Sequence, residues 1–361
     1  MKSARHRQGH NGYNNRRQGA HAMLLTRRQA LKTGAVAGLL PLVPARAQGA
    51  RPLKVNQLGF ALGIHVPTTA ALVDIMPTMG YAPTIQRMDQ IRTLTQTLIA
   101  GAAEIGETDS ITVMSAVEAG ADLKIVSLWY MHTSLVFVAN ADKVREFKDL
   151  EKPENVVAVN GKGDITHVML FGPLLQRGVD VKKVNIVEIG GSGARMQALQ
   201  SGRVQAVPVH FDQAAELAKR GNFKVLLEPW KEYKAWINEV WACSGAWLKK
   251  KENERAVIDL IKAQMIAFRK ANADLAWYTE NYRKHVTLPT AKDATQESLK
   301  PIWEGLSKSI GAWPHTIDMK MEYWNDLVPV YRQAEAIQGK VRPDQIVETS
   351  LAKQAAAELG G

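Results

Sequence analysis

The sequence predicts an α/β protein made of two similar lobes, each with a largely parallel sheet. Over residues 185–228, short apolar runs typical of buried strands alternate with segments of helical 3.6-residue period. The same order occurs 101 residues earlier, where Ile85 and Gly101 align without a gap with Ile186 and Gly202. Strands that alternate with helices in this way are typical of parallel sheets covered by helices.

Residues 1–48 are predicted to be an export signal. Arg27 and Arg28 precede an apolar run at 35–43 that is too short to cross a bilayer, and a small-residue Ala-Arg-Ala sequence follows. The sequence TRRQALK around the two arginines resembles a twin-arginine export motif; an N-terminal anchor and an ordinary secretion signal are the alternatives. Met23 precedes a leader of ordinary length and is an alternative start. The mature chain is therefore expected in the periplasm.

The predicted leader carries most of the net charge of +11. It holds nine of the 46 Lys and Arg residues and none of the 35 Asp and Glu residues, so the mature chain is close to neutral. Such a balance gives no reason to expect a nucleic acid partner. The single Cys243 excludes an internal disulfide, and no Cys/His spacing indicates a metal or cofactor site. A monomer without membrane insertion is expected.

The first lobe is predicted to occupy residues 49–140 and 245–361. Its first strand leads into a turn that contains Gly59 and Phe60, and Gly80 ends the helix that follows. A turn at 107–110 is predicted to connect the third strand to a helix. The strands predicted here are 53–58, 84–88, 103–106, 123–129 and 135–138.

The second lobe is predicted to occupy residues 145–240, with the helical C-terminal part returning to the first lobe. The polar segment at 139–155 and the extended segment at 238–246 are predicted to form a two-segment hinge. An amphipathic helix is expected at 254–272, where apolar residues repeat with a 3.6-residue period.

Several motifs, in order, resemble the periplasmic substrate-binding proteins of nitrate/taurine/sulfonate ABC importers, a family that includes binders of thiamine-pyrimidine precursors. The resemblance implies a type II periplasmic-binding-protein fold, with two Rossmann-like lobes and a C-terminal helical extension on lobe one. The motifs that carry it are AEIG at 103–106, AGADLKIV at 119–126, GKGDITH at 161–167, ALQSGRVQA at 198–206 and RPDQIVETS at 342–350. The chain departs from the family pattern at Asp164, Gln205 and His210-Phe211, which puts the family's anionic ligands in doubt.

A ligand is expected between the lobes, because open α/β sheets bind ligands at the carboxyl ends of their strands. Most loops there begin helices, so free N–H groups point at the cleft and favour an anion or a carbonyl. For Asp109 the alternative is a simple helix cap; for Arg195 it is surface exposure, and for Trp129 ordinary core packing. The expected ligand-contacting residues are Gly59, Phe60, His65, Thr108, Asp109, Trp129, Gly163, Asp164, Thr166, His167, Arg195, His210 and Phe211.

Histidines and aromatic residues outnumber arginines in these loops, which favours an aromatic or heterocyclic ligand. Asp109 or Asp164 is placed to meet a ligand amine or ring N–H. The resemblance implies a non-catalytic solute-binding protein that delivers its ligand to an inner-membrane permease. Two alternatives stay open. One is an enzyme similar to fungal pyrimidine synthases, which use pyridoxal phosphate and one of their own histidines; the other is a periplasmic sensor partner.

Overall fold

A computed structural model describes residues 49–59 and 61–360 of the chain. The predicted leader, with Arg27 and Arg28, and the predicted ligand residue Phe60 lie outside these described residues. Within them, two five-stranded sheets form one compact unit with the helices that cover them. The predicted α/β class is confirmed.

The first sheet has the strand order β2-β1-β3-β10-β4. β1 pairs in parallel with β2 and β3, whereas β10 runs antiparallel between β3 and β4. The strands are β1 (Arg51–Leu58), β2 (Tyr81–Met88), β3 (Ile105–Asp109), β4 (Leu123–Leu128) and β10 (Glu239–Ser244).

The second sheet repeats this arrangement in the order β7-β6-β8-β5-β9. β6 pairs in parallel with β7 and β8, and β5 runs antiparallel between β8 and β9. The strands are β5 (Leu135–Asn140), β6 (Val156–Val159), β7 (Asn185–Glu188), β8 (Ala206–His210) and β9 (Phe223–Leu227).

Helices connect the parallel strands and form the C-terminal extension. A helical stretch from Gly63 to Met79 contains α1 and a π-helical turn at Ala71–Ile75, and a second π-helical turn at Gly305–Ile310 follows α11. The helices that connect the strands are α1 (Val66–Ala70), α2 (Ile91–Ile99), α3 (Ser110–Glu118), α4 (Ile165–Gln176), α5 (Ser192–Gln200), α6 (Phe211–Ala218) and α7 (Pro229–Glu232). The C-terminal helices are α8 (Gly245–Leu248), α9 (Lys251–Ala273), α10 (Leu275–His285), α11 (Gln296–Glu304), α12 (Met321–Gln333), α13 (Pro343–Ile346) and α14 (Ser350–Glu358).

The internal repeat predicted from the sequence is present with its offset of 101 residues. α2 corresponds to α5 and β3 to β8, with the same bounds after the shift. Gly101 and Gly202, which follow α2 and α5, have φ angles of 70° and 74°. This left-handed conformation favours glycine and ends the helix. The equivalence places Asp109 and His210 at matching strand ends.

The chain passes between the sheets at residues 129–134 and 228–238, which differs from the predicted hinge. β5 belongs to the second sheet, where Leu135 to Ala139 are buried and pair with β8, so the passage precedes this strand. β10 in turn pairs inside the first sheet. The polar composition of 139–155 indicates a surface segment. It does not show whether the chain passes between the lobes before or after β5, because that depends on which sheet β5 joins. We call residues 49–128 and 239–360 the first lobe and residues 135–227 the second lobe.

The C-terminal helices α10 and α14 pack on the first lobe against α9, whereas α12 contacts α4 of the second lobe. Val257, Ile261 and Phe268 of α9 are fully buried, as the predicted 3.6-residue period requires. No helix among residues 49–59 and 61–360 is long and apolar enough to cross a membrane.

Candidate functional site

Strand ends of the two lobes meet at a polar boundary. The backbone N–H of Ile165 in the second lobe donates to Oδ2 of Asp109 in the first, with N···O 3.3 Å. The N–H of Gly63 in the first lobe donates to Oδ2 of Asp212 in the second, at 3.2 Å. Each lobe therefore contributes a carboxylate that accepts a backbone hydrogen bond from the other lobe.

Two helices that start at this boundary are capped by aspartates. Asp109 ends β3, and its Oδ1 accepts from the N–H of Thr112 in α3 at 2.5 Å. Asp164 precedes α4, and its Oδ1 accepts from the N–H groups of Thr166 and His167 at 2.9 and 3.1 Å. Aspartate is a favoured N-cap because its side chain satisfies N–H groups that lack partners within the helix. Asp109 is thus a helix cap, as one alternative predicted, and it also contacts the opposite lobe.

Burial changes the ionisation of this aspartate pair. Burial and the neighbouring Asp164 carboxyl raise the pKa of Asp109 to about 7. Burial likewise raises the pKa of Asp164 to about 6, against the opposing effects of its Thr166 hydrogen bond and Arg195. Two carboxyl groups withdrawn from water and close together favour the neutral form.

A second polar cluster lies around His65, which is 1 % exposed. Its Nε2 lies 3.2 Å from Oε2 of Glu239, and its ring is 5.2 Å from that of His210 across the lobe boundary. The rings of Trp129 and Tyr130 lie 5.9 and 6.0 Å away. The structure therefore brings together three of the predicted residues: His65, Trp129 and His210.

Buried acids surround this cluster. Burial and the adjacent Glu239 raise the pKa of Glu107 well above its usual value. Burial and Glu239 similarly raise the pKa of Tyr130. On the second-lobe side, burial lowers the pKa of His210 well below its usual value, and His65 and Arg195 add to this effect. The Nδ1 of His210 is 2.8 Å from the Ser134 hydroxyl.

Arg195 is buried, with 2 % exposure, and the predicted alternative of a surface position is wrong. Its Nε donates to the carbonyl of Pro208 at 2.8 Å, and its Nη1 donates to that of Gly190. Burial lowers its pKa to about 10. These bonds tie the loop before α5 to β8, a contact that helical periodicity alone cannot show.

Hydrogen bonds connect the predicted ligand residues at the start of α4. Gly163, at φ 83°, donates its N–H to Nδ1 of His167 at 3.1 Å. The Thr166 hydroxyl donates to Asp164 at 2.6 Å and accepts from the N–H of Asn160 at 2.8 Å. His167 is half-buried against Phe171, and burial, with Lys162, lowers its pKa to about 4.

The remaining predicted residues make other contacts. Thr108 continues β3, and its hydroxyl is 2.5 Å from that of Thr95 in α2, so the predicted turn at 107–110 is a strand as far as Asp109. Gly59 donates its N–H to the Met88 carbonyl, at the ends of β1 and β2. Phe211 begins α6, half-buried against the first-lobe helices.

A cavity of about 480 Å³ opens at the lobe boundary beside the aspartate pair. Thr95, Thr112 and Ser115 line it from the first lobe, and Gly161 and Asp164 from the second. Its charged lining residues are Arg92, Lys162, Asp164, Glu188 and Glu335.

His65, His210 and Glu239 place one potential metal-ligand atom each within 4.8 Å of one another. The N–H of Leu62, however, donates to Nδ1 of His65 at 2.9 Å, so a neutral imidazole carries its proton on Nε2, facing Glu239. A histidine that binds a metal needs a lone pair on the ligating nitrogen and normally donates from the other. The donor set therefore suits a histidine–carboxylate pair and does not fit a metal ion.

The sequence places Glu107 and Asp212 in loops expected at the cleft without naming them as ligand residues, and it assigns no role in the site to Tyr130 or Glu239. The sequence signal for Glu107 and Glu239 is an acidic residue in or beside a predicted strand, as in IGETD and NEVWAC. Tyr130 and Asp212 carry no such signal.

The two sheets of matching order, with a polar boundary at their strand ends, define the class of two-lobed periplasmic-binding-protein folds. Residues 84–274 match the family described as NMT1/THI5 like, and the chain belongs to this family. A search of curated protein sequences finds no match.

Solved structures of several binding proteins share the fold. A ligand binding component of an ABC-type import system from Staphylococcus aureus, with zinc bound, has 15 % identity and a TM-score of 0.68, covering 84 % of this chain and 99 % of its own. The alkanesulfonate-binding protein SsuA from Xanthomonas axonopodis pv. citri, bound to MOPS, has 15 % identity and a TM-score of 0.65, covering 82 % of this chain and 98 % of its own. The nitrate-binding protein NrtA from Synechocystis PCC 6803 has 11 % identity and a TM-score of 0.68, covering 86 % of this chain and 89 % of its own.

Proposed function

We propose that this chain is the solute-binding component of an ABC importer. It captures a small molecule between its lobes and delivers it to an inner-membrane permease. The similar structures include a ligand binding component of an ABC-type import system, an alkanesulfonate-binding protein and a periplasmic nitrate-binding protein, and the shared fold supports the same role here.

The observation that carries this proposal is the boundary itself. Asp109 and Asp212 accept N–H groups of the opposite lobe, and a cavity opens next to Asp109's neighbour Asp164. Each of these two hydrogen bonds contributes about 0.5–1.5 kcal/mol net, an amount that a bound solute can offset when the lobes move. Two passages of chain, at 129–134 and 228–238, leave rotation of the lobes as the simplest motion.

The ligand-contacting residues proposed on this basis are those at the boundary. Asp164 lines the cavity, and Asp109 is the neighbour of Asp164. His65 and His210 meet across the two lobes, so opening of the lobes would expose both. Their location supports contact with a bound solute.

The proposed place of action is the periplasm, with a monomer carrying the solute. The leader predicted at residues 1–48 supports export, and the similar nitrate-binding protein NrtA is periplasmic. The role is proposed to be non-catalytic.

Binding and closure can be tested together on the purified mature protein. Sulfonates, nitrate, amino acids, amines and heterocycles would be screened by thermal shift, because a solute at 100 times its Kd stabilises the native state by about 2.7 kcal/mol. Small-angle scattering at saturation should then show a smaller radius of gyration. If no solute raises Tm or reduces the radius, the solute-binding proposal is wrong.

The enzyme alternative makes a different prediction. A pyridoxal phosphate enzyme needs a lysine within reach of the site, and Lys162 lies on the cavity wall. Incubation with pyridoxal phosphate, borohydride reduction and peptide mass mapping would detect a Schiff base there. We expect no selective modification of Lys162; selective modification, lost in Lys162→Arg, would favour the enzyme.

A further inference from the structure

We infer that the captured solute carries a cationic group, such as a protonated amine, and that Asp164 with its neighbour Asp109 receives this group. The inference rests on the proposed function, because it names the chemical class of the ligand of that site. Its basis is the chemistry of the lobe boundary.

First, carboxylates of the chain occupy the helix N-termini that an anion would otherwise use. Asp109 accepts from the N–H of Thr112 in α3 and from that of Ile165 in α4. Asp164 accepts from the N–H groups of Thr166 and His167 in the same helix. An incoming nitrate or sulfonate would meet two carboxylates in place of free N–H donors.

Second, the buried charges at the boundary are predominantly acidic. Glu107, Asp109, Asp164 and Glu239 are at most 7 % exposed. Among the described residues, the guanidinium of the buried Arg195 donates to the carbonyls of Pro208 and Gly190 and to no carboxylate. A solute that brings positive charge would lower the cost of keeping these acids away from water.

Third, a carboxylate oxygen of a residue that lines the cavity has no hydrogen-bond donor. Among the residues that the structure describes, Oδ2 of Asp164 is buried and has no hydrogen-bond partner, although Asp164 lines the cavity. Buried polar atoms are normally hydrogen-bonded, so this oxygen marks where a donor is required. An ammonium group supplies a donor and a positive charge together.

The charged groups on the cavity wall around the pair are of both signs: Arg92 and Lys162, and Glu188 and Glu335. Arg92 donates through Nη2 to the backbone carbonyl of Lys162 at 3.3 Å, and the backbone N–H of Lys162 donates to Glu188 at 3.0 Å. Arg195 is the cation that acts on Asp164, and the Tyr331 hydroxyl faces Asp109 through Ser110. No lysine or arginine of the described chain forms an ion pair with Asp109 or Asp164 within 4.0 Å.

Cation binding should also depend on pH. Burial raises the pKa of both aspartates, so the pair retains a proton to higher pH than exposed carboxyl groups do. A bound ammonium favours the ionised pair, so binding releases a proton and the affinity should rise several-fold from about pH 5.5 to about pH 7.5. A solute held only by neutral hydrogen bonds would show no such rise.

The experiment uses two sets of probes at equal ionic strength. Putrescine, agmatine and histamine are the cationic probes; nitrate, sulfate and ethanesulfonate are the anionic ones. We expect only cationic probes to raise Tm, and calorimetric titration of the best of them should give the predicted pH dependence. Asp164→Ser keeps a good helix N-cap without the charge and should weaken its binding tenfold or more.

Asp180→Ser is the matched control, because Asp180 also caps a short helical turn of the second lobe but is exposed and does not line the cavity. It should bind the cationic probe like the wild type. An anionic probe that stabilises the wild type and Asp164→Ser equally would overturn the inference and leave the solute-binding function intact. Failure of both sets to raise Tm would overturn the inference and count against the function as well.

Discussion

A Cβ atom placed on Gly305 would lie 2.7 Å from Cε1 of Phe211, so the aromatic ring occupies the space that a side chain would take. Phe211 begins α6 of the second lobe, and Gly305 begins a π-helical turn of the first. The contact therefore sets how closely the lobes approach on this side. Phe211, for which the sequence predicts a ligand contact, thus packs against the first lobe.

Gly305→Ala should force the ring of Phe211 or the lobes to move. Overpacking of this kind costs roughly 1–3 kcal/mol, which chemical denaturation would measure. Gly193→Ala in α5 is the control, because no atom lies within 4 Å of its added Cβ and alanine favours the helix. Equal stability of the two variants would show that the contact does not hold the lobes at this distance.

Asp109 should make stability depend on pH in a defined direction. Its folded pKa, about 7, lies above the usual value of about 3.9, so its contribution to stability is complete below about pH 4 and is lost as pH rises towards 7. His167 and His210 act in the opposite direction, because burial lowers their pKa values.

Comparison with Asp109→Asn isolates this effect. Relative to the wild type, the variant should gain roughly 1–3 kcal/mol of unfolding free energy from about pH 5 to about pH 7.5. Urea denaturation at several pH values gives this difference directly. A constant difference would mean that Asp109 stays ionised across the range.

His65→Ala should destabilise the protein strongly. It removes a buried ring that packs against Trp129 and accepts the Leu62 N–H, and it leaves Glu239 without its neighbour at 3.2 Å. The expected loss is roughly 2–5 kcal/mol by denaturation. His315→Ala, at an exposed position, should change stability little; similar losses in both variants would contradict the packing described for His65.

The export prediction concerns residues outside the described structure. Residues 1–50 fused to a reporter should carry it to the periplasm, and changing Arg27 and Arg28 to Lys should block this export. Cell fractionation provides the measurement. A general secretory signal would continue to work after the change, and a reporter that stays in the cytoplasm with the native leader would refute export.

The repeated fold was predictable because it depends on local pattern. Apolar periodicity located the strands and helices. The offset of 101 residues found in the sequence relates β3 to β8 in the structure. The loops that approach the boundary were predictable for the same reason, since strand ends in such sheets share one edge. Asp109, Asp164, His65 and His210 all lie there.

The sequence by itself determined the α/β class, the repeat and the polar loops, because the periodicity of strands and helices depends on residues close together in the chain. Only the tertiary structure decided where the chain passes between the lobes, that Arg195 is buried, and that the carboxyl groups of Glu107 and Glu239 lie next to each other. Those features join residues from 13 to more than 100 positions apart, as in the bond from Arg195 to Pro208 and the pairing of Glu107 with Trp241. Their energies depend on distance and on exclusion of water, which no local pattern specifies.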